Sequence, residues 1–266
     1  MRLDSYLAEK YPEYSRSVWQ KFIKKGYVKV NNEVVTVTKY DVTEPDMITY
    51  ELPDLLTISK LITDLPILYE DENVIVINKP AGILTHSKGA LNEEYTVADF
   101  IRSRSPSNHL TNQQSNRFGI VHRLDRNTSG VLIGAKNEET LKFLQKQFSN
   151  RTVKKTYHAM VNKIPRNSEF IIDLPIARNP KKPSTFRVDP KGKPAITKVR
   201  IGSIRVGTSR TVLILKPLTG RTHQLRVHLA YMGMPIIGDN IYNRDERRET
   251  RDEKVCICDY WGWGVE

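Results

Sequence analysis

Cysteine is almost missing from this chain of 266 residues, where Cys256 and Cys258 are the two that occur. Two thiols in a C-x-C arrangement, with no third cysteine or histidine beside them, are too few for a disulfide framework or a zinc site of the usual kind. Long apolar runs are missing as well: hydrophobic residues make up 39% of the chain, and no run approaches the roughly 20 residues that cross a bilayer. The opening stretch MRLDSYLAEKYPEYSR has no apolar core of the kind a secretory leader carries. The expectation is a soluble cytoplasmic protein without a membrane partner. Neither G-x-x-x-x-G-K-[ST] nor G-x-G-x-x-G occurs, so nothing argues for a nucleotide cofactor and none is expected. Ser129 lies in N-T-S-G and lacks the G-x-S-x-G elbow of a hydrolase nucleophile. His223 and His228 stand five apart, off the i,i+4 spacing that puts two ligands on one helical face; both read as structural histidines, and no metal is expected.

Acid is scarce in one part of the chain. The formal charge is +12, yet residues 1–60 hold nine Lys/Arg against nine Asp/Glu, so the whole excess falls in 61–266. Residues 176–210 hold ten Lys/Arg and one acid, Asp189. A polyanion such as nucleic acid is the partner such a balance favours. The basic stretch reads as loop-rich, and Lys181, Lys182 and Arg187 are its candidates for gripping phosphates, against the alternative of solvated hairpin turns. Within the balanced first part the cations segregate: Arg16, Lys21, Lys24 and Lys25 occur with no acid among them. They are RNA-binding candidates, the alternative being a solvated helix face.

Periodicity places the elements. Residues 3–10 and 16–25 read as short helices, one with Leu3, Tyr6 and Leu7 on a face, the other with Val18, Phe22 and Ile23. Ser15 stands where a helix cap belongs and Gly26 where the helix would end. YVKVNNEVVTV reads as a hairpin about Asn31-Asn32. Residues 51–66, with Pro53 and Pro66, read as a linker. ILYE and VIVINK are strands broken by Lys79-Pro80-Ala81-Gly82, EYTVADFIRSR is a helix, and the polar stretch 103–117 is a loop. NEETLKFLQKQFSN is an amphipathic helix and KKTYHAMVN a strand carrying Tyr157. TVLILKP is a strand, Leu218-Thr219-Gly220 a tight turn, and RTHQLRVHLAYMG a helix ending at Gly233.

Between these elements lies HRLDRNTSG, His122 to Gly130, with the carboxylate of Asp125 between Arg123 and Arg126. Short apolar runs on either side, Phe118 to Val121 and Val131 to Ala135, put Asp125 in a loop at the end of sheet strands. By spacing alone an aspartate that caps the turn is the commoner use. A guanidinium within about 4–6 Å favours the charged form of a carboxyl group, and an ionised carboxylate is a nucleophile or a base. With no second carboxylate at suggestive spacing, it suits attack at a nucleoside's anomeric carbon or an electrophilic ring carbon. Taken alone, Tyr157 is a strand-packing aromatic and Arg221 a structural ion-pair partner at a helix start.

The nonapeptide resembles the signature of the pseudouridine synthases of the RluA branch, whose aspartate lies in H-R-L-D-x-x-T-S-G. Asn78-Lys79-Pro80-Ala81-Gly82 is similar to that family's N-K-P-x-G motif, with Ser87 where many members carry proline, and Gly220 to His228 is similar to its third motif. Arg2-Leu3-Asp4, Leu7, Ser15-Arg16, Ile23, Gly26, Val28, Val30 and Asn31 resemble the small RNA-binding domain typified by ribosomal small-subunit protein four.

The resemblance implies an α+β fold with a mixed, largely antiparallel central sheet and flanking helices. It implies a recruiting domain over 1–50, the linker 51–66 and a catalytic domain over 67–266. The activity implied is isomerisation of uridine in RNA to pseudouridine, in large-subunit ribosomal RNA ahead of transfer RNA, the other alternative being a non-catalytic RNA-binding or ribosome-assembly protein on the same fold; a monomer is expected. Site roles carry over residue by residue. Asp125 would be nucleophile or base, Tyr157 the aromatic beside the uracil, Arg221 the partner of the aspartate, and Arg123 the filler of the gap left by the extruded base. Lys79, His122, Thr128 and Gln224 would support the loops. The likeness fails from about residue 243, where relatives continue into a further strand; here a charged run leads to VCICDYWGWGVE, and VCICDYW stands as the candidate replacement.

Overall fold

Two helices and a hairpin gather the buried apolar residues at the amino terminus into one cluster. In the computed structural model, which describes residues 1–12, 14–51, 64–87, 94–105, 117–205, 207–243 and the backbone of 257–260, α1 is Leu3–Lys10 and α2 is Arg16–Lys24. They bury Leu3, Leu7, Trp19, Phe22 and Ile23 in one cluster. Tyr11, Tyr14 and Tyr50 close around Trp19 with tilted or edge-on rings, the arrangement aromatic quadrupoles favour. Gly26 ends α2 at a φ of 77°, as a left-handed C′ residue should. Ser15 precedes α2 in extended conformation, but its hydroxyl turns to Ser17 at 3.0 Å and caps nothing. β1 (Val28–Val30) and β2 (Glu33–Val34) pair antiparallel. Asn31 and Asn32 between them take φ values of 53° and 66°, the left-handed pair that a two-residue hairpin turn demands. β3 (Ile48–Tyr50) pairs with the other edge of β1.

The chain divides into two compact units, Met1–Thr63 with Ser87–Tyr95, and Asp64–His86 with Thr96–Glu266. The second opens with β4 (Ile67–Glu70) and β5 (Val74–Lys79). The turn between them is closed by the Asp71 carboxylate, which accepts the amides of Asn73 and Val74 at 2.7 Å. α3 (Val97–Arg104) starts in a capping box formed by Thr96 and Asp99. β6 (Ser129–Ala135) leads to α4 (Glu138–Ser149), capped by Asn137, whose side chain accepts the Thr140 amide at 2.9 Å. The apolar stripe expected of α4 is present, but none of its residues is fully buried.

β7 (Thr156–Val161) and β8 (Glu169–Asp173) follow. The basic stretch 176–210 is less loop-like than its composition suggests. It contains β9 (Ile176–Arg178), β10 (Phe186–Val188) and the long β11 (Ile196–Ile204). Its cations alternate with inward-facing residues, Thr197 and Val199 buried while Lys198 and Arg200 are exposed, which is strand periodicity read through charged side chains. β12 (Thr211–Pro217) and α5 (Gln224–Tyr231) complete this part. The helix expected from Arg221 begins three residues later, because His223 takes a left-handed φ of 56° that no α-helix continues through.

β13 (Ile257–Tyr260) is the replacement strand sought in VCICDYW, and its place is central. The main sheet runs β4-β5-β6-β13-β7-β12-β11-β8. Every neighbouring pair is antiparallel except β6 with β13, so the sheet is mixed and largely antiparallel as expected. Because β13 lies between β6 and β7, it joins the strand that follows Asp125 to the strand that carries Tyr157. α5 packs Leu225 and Leu229 onto Ala159, Val161, Leu213 and Leu215 of that sheet. Most of the linker (52–63), most of the polar loop (106–116) and the charged run after Asn243 lie outside the described residues. Among the described residues no helix is long and apolar enough to cross a membrane, and no group of His, Cys, Asp and Glu is gathered to hold a metal ion.

Candidate active site

The turn that ends β5 is what holds Asp125 in position. Lys79 is fully buried, and its ammonium donates to three carbonyls, Pro80 and Ile83 at 2.9 Å and Arg126 at 3.1 Å. Three N–H groups meet three acceptors, so the buried cation is satisfied. Burial pushes it down to about 8, with the nearby Asp125 charge opposing. Gly82 donates its amide to the same Arg126 carbonyl at 2.8 Å. Thr85 grips Leu124 twice, donating its hydroxyl to the carbonyl at 2.7 Å and accepting the amide at 3.2 Å. Asp125 is thus clamped through the residues on both sides of it, and Thr128, nearly buried, donates its amide to the Asp125 carbonyl at 3.0 Å. His122 stacks on Phe148 at 4.7 Å and accepts the Ile133 amide on Nε2. Desolvation first, and Lys155 second, push its imidazole down to about 3, so it is neutral. Nothing in the sequence marked Thr85; its part is visible only once the two loops meet.

The Asp125 carboxylate is 19% exposed and faces a cavity of about 310 Å³, the lower end of the range for ligand pockets. Arg123, Tyr157, Arg221, His223 and Arg226 line it with Asp125. Lys155 lines it too, next to Gly220, where an added Cβ would lie 3.9 Å from its ammonium. The guanidinium nearest the carboxylate belongs to Arg226, whose Nη1 is 3.7 Å from Oδ2. Here the structure corrects the expected pairing. Arg221 donates its Nε to the Pro194 carbonyl at 3.0 Å, on the exposed side of the turn. Because α5 starts at Gln224, Arg226 and not Arg221 is carried into the interior, with its side chain 5% exposed. A signal was there to be read: an arginine set among Leu225, Val227 and Leu229 needs a buried partner.

That partner is Asp239, which accepts Nε at 2.7 Å and Nη2 at 2.8 Å in a two-pronged pair. Burial alone would lower the Arg226 value, but Asp239 and then Asp125 outweigh it and raise it. Burial would likewise raise the Asp239 carboxyl, yet Arg226 and the amides of Ile241 and Tyr242 hold it below the usual carboxylate range. One fixed cation therefore serves a saturated carboxylate and, at longer range, the one that faces the cavity. Gln224 fixes the preceding turn with its whole amide. Its Oε1 accepts from Thr219 at 2.7 Å and the Arg221 amide at 3.0 Å, and its Nε2 donates to Ile196 and Thr197, both at 3.0 Å.

His228 is structural as expected, held between Thr197 at 3.0 Å and the Leu174 carbonyl at 2.9 Å. His223 is not. Its Nε2 lies 3.8 Å from Asp125 and its Nδ1 2.8 Å from the Tyr242 hydroxyl. That hydroxyl also accepts the Phe186 amide at 2.9 Å and has one proton it can give to His223 Nδ1, while Nε2 is the ring nitrogen on the side of the carboxylate. Burial lowers the His223 value, Asp125 opposes it and Arg226 adds to it. Its left-handed backbone is the local irregularity that stops a helix and turns the imidazole to the cavity.

The RNA-binding candidates fall into two groups. Lys21, Lys24 and Lys25 are exposed on and just after α2. Arg16, half exposed, is held by Asp4 through Nε at 3.1 Å and Nη2 at 3.4 Å. Lys181 and Lys182 are exposed between β9 and β10, and Arg187 is paired with Asp189 at 2.6 Å. None of these seven lines the Asp125 cavity.

A family model described as RNA pseudouridylate synthase matches residues 73–231, the span that contains the clamp, Asp125 and α5. This chain belongs to that family. An S4 domain model matches residues 1–48 of the synthase. Its relatives include an uncharacterized RNA pseudouridine synthase of Synechocystis sp., 36% identical over 247 residues that cover 91% of this chain and 74% of the relative. The ribosomal large subunit pseudouridine synthase D of Borreliella burgdorferi is 39% identical over 254 residues, covering 92% and 76%. Among solved structures, human RNA pseudouridylate synthase domain containing 1 superposes with a TM-score of 0.61 at 28% identity, over 74% of this chain and 77% of the human one. The synthase is thus an RNA-modifying isomerase of the RluA type.

Proposed function

We propose that the synthase draws a uridine of large-subunit ribosomal RNA out of its stack and isomerises it with Asp125 as nucleophile or base. The reading is carried by a carboxylate that meets Arg226 and His223 only at 3.7 and 3.8 Å and turns its oxygens to a cavity with Tyr157 in its lining. The N1–C1′ bond is broken, the base turns, a C5–C1′ bond forms, and the C5 proton is removed while N1 gains one. No atom is added or lost, so the residues needed are a carboxylate, an anion-stabilising cation and a proton acceptor beside the ring. Asp125, Arg226 and Tyr157 fill those roles, and Arg123 fills the space the base vacates. Arg226 keeps Asp125 ionised and oriented, and His223 flanks it on another side.

The amino-terminal unit recruits structured RNA through Lys21, Lys24 and Lys25. The choice of ribosomal RNA follows relatives named as large-subunit pseudouridine synthases C and D; the synthase acts in the cytoplasm, as a monomer. Two measurements test this. RNA labelled with tritium at uracil carbon 5 should release it with the synthase present; a pure RNA-binding protein releases none. Pseudouridine maps of cellular RNA with and without the gene should differ in large-subunit ribosomal RNA, and a change confined to transfer RNA would overturn that target.

A further inference from the structure

Tyr242 lines one cavity and touches the wall of another. Its hydroxyl meets His223 on the wall of the Asp125 cavity, and the residue also lines a second one, of about 620 Å³, between the β9–β10 hairpin and the end of α5. Val227 and Ala230 give that second cavity an apolar floor. Its charged lining is Lys182 and Arg187, with no carboxylate among the lining residues. Asp189 holds the Arg187 guanidinium at 2.6 Å, which fixes its direction and takes up part of its charge. Tyr231, the last residue of α5, also lines the cavity and is 62% exposed, a large ring left open to solvent.

An apolar floor, an exposed ring and cations without an acid match the parts of a nucleotide, whose base stacks on aromatic faces and whose phosphate seeks a lysine or arginine. Enzymes that extract one nucleotide read its neighbours through contacts just outside the pocket. The two cavities are neighbours: the His223–Tyr242 contact of 2.8 Å joins the lining of one to the lining of the other, and α5 gives Arg226 to the first and Val227 to the second. We propose that the second cavity takes an unstacked nucleotide flanking the target uridine, its base on Tyr231 and its phosphate at Lys182. The synthase would then select its uridine partly by the neighbour. This rests on Asp125 being the working residue of the first cavity.

The test uses the full chain and a stem-loop RNA around a uridine that the unaltered synthase converts. Single abasic sites replace, one at a time, the three nucleotides on each side. Tyr231→Ala should raise KM and Kd on the intact RNA by roughly 5- to 150-fold, the scale of one lost base–aromatic stack, with kcat unchanged. At one flanking position the abasic RNA should bind the unaltered synthase as weakly as the variant binds intact RNA, and the variant should lose nothing further there. Equal losses on intact and abasic RNA at every position, or no change at all, would overturn the inference. An unaltered synthase that converts normally while Asp125→Asn converts equally well would overturn the reading beneath it, a different and separable result.

Discussion

Asp4 in the amino-terminal unit and Asp125 in the catalytic unit are both aspartates among arginines, and their surroundings differ in one respect that decides their use. The Asp4 side chain is fully buried and its oxygens are saturated: Arg2 at 2.9 and 3.1 Å, Arg16 at 3.1 and 3.4 Å, Gln20 at 2.6 Å. Burial alone would raise its carboxyl, but Gln20, Arg2 and Arg16 outweigh that and hold it far below the usual carboxylate range. Asp125 has its cation and its imidazole at 3.7 and 3.8 Å, beyond hydrogen-bond reach, and opens on a cavity. A saturated carboxylate builds structure because its charge is already spent on neighbours. A carboxylate held near a cation but not bonded to it keeps its lone pairs for a substrate. Arg226 shows how the second condition is met, since its two-pronged bond goes to Asp239 and fixes it where it can only approach Asp125.

The contrast is broken most severely at the carboxylate proposed to act on uridine. Asp125→Asn should cut tritium release by about 10³-fold or more, the scale of losing a catalytic group, while RNA affinity measured by filter binding stays nearly the same. Arg226→Ala comes next: it strands the buried Asp239 charge and should cost about 3–5 kcal/mol in denaturant unfolding, whereas Arg221→Ala, at a half-exposed turn residue, should cost less than about 1 kcal/mol. Asp4→Asn removes a structural charge and should destabilise the amino-terminal unit by about 1.5–3 kcal/mol, seen as faster hydrogen exchange in α1 and α2, with turnover on a short stem-loop unaltered.

The same residue gives a pH dependence of definite sign. A carboxyl with a depressed folded value stabilises above its unfolded value, 3.8, and the stability drains away as pH falls from there toward the folded value. The amino-terminal unit should therefore lose protection below about pH 4, and Asp4→Asn should flatten that profile. Tyr242→Phe should lower kcat several-fold, because His223 loses the hydroxyl that anchors its Nδ1 and the Phe186 amide loses its acceptor. Paired Lys21→Ala and Lys24→Ala should have the smallest effect, a few-fold loss of RNA affinity that shrinks as salt rises.

Much of the fold could be read from periodicity and turn chemistry. α1 runs over the expected 3–10, β4, β5 and β12 match the runs ILYE, VIVINK and TVLILKP, and Asn31-Asn32 makes the hairpin. These are local decisions, made by residues within one turn of each other. β9 to β11 were obscured because exposed strand positions there carry lysine and arginine, which read as loop. In the site, Asp125 and Tyr157 line one cavity as their motifs implied. The exchange of Arg221 for Arg226 turned on where α5 begins, and that goes with the left-handed His223, whose contacts, Tyr242 and Asp125, are both distant in the sequence.

By itself the sequence determined which residue types were at hand: a lone carboxylate in a turn, a basic second half, two helices before a hairpin, and strands of fixed period. Tertiary structure alone decided which arginine reaches that carboxylate, that Lys79 and Thr85 clamp its loop, and that a strand from the far end of the chain enters the sheet between β6 and β7. The reason is one of range. Helix faces, turns and strand alternation are settled between neighbours, whereas the pairing of a buried charge is settled by whichever opposite charge the packed chain brings within about 4 Å, from any distance along it.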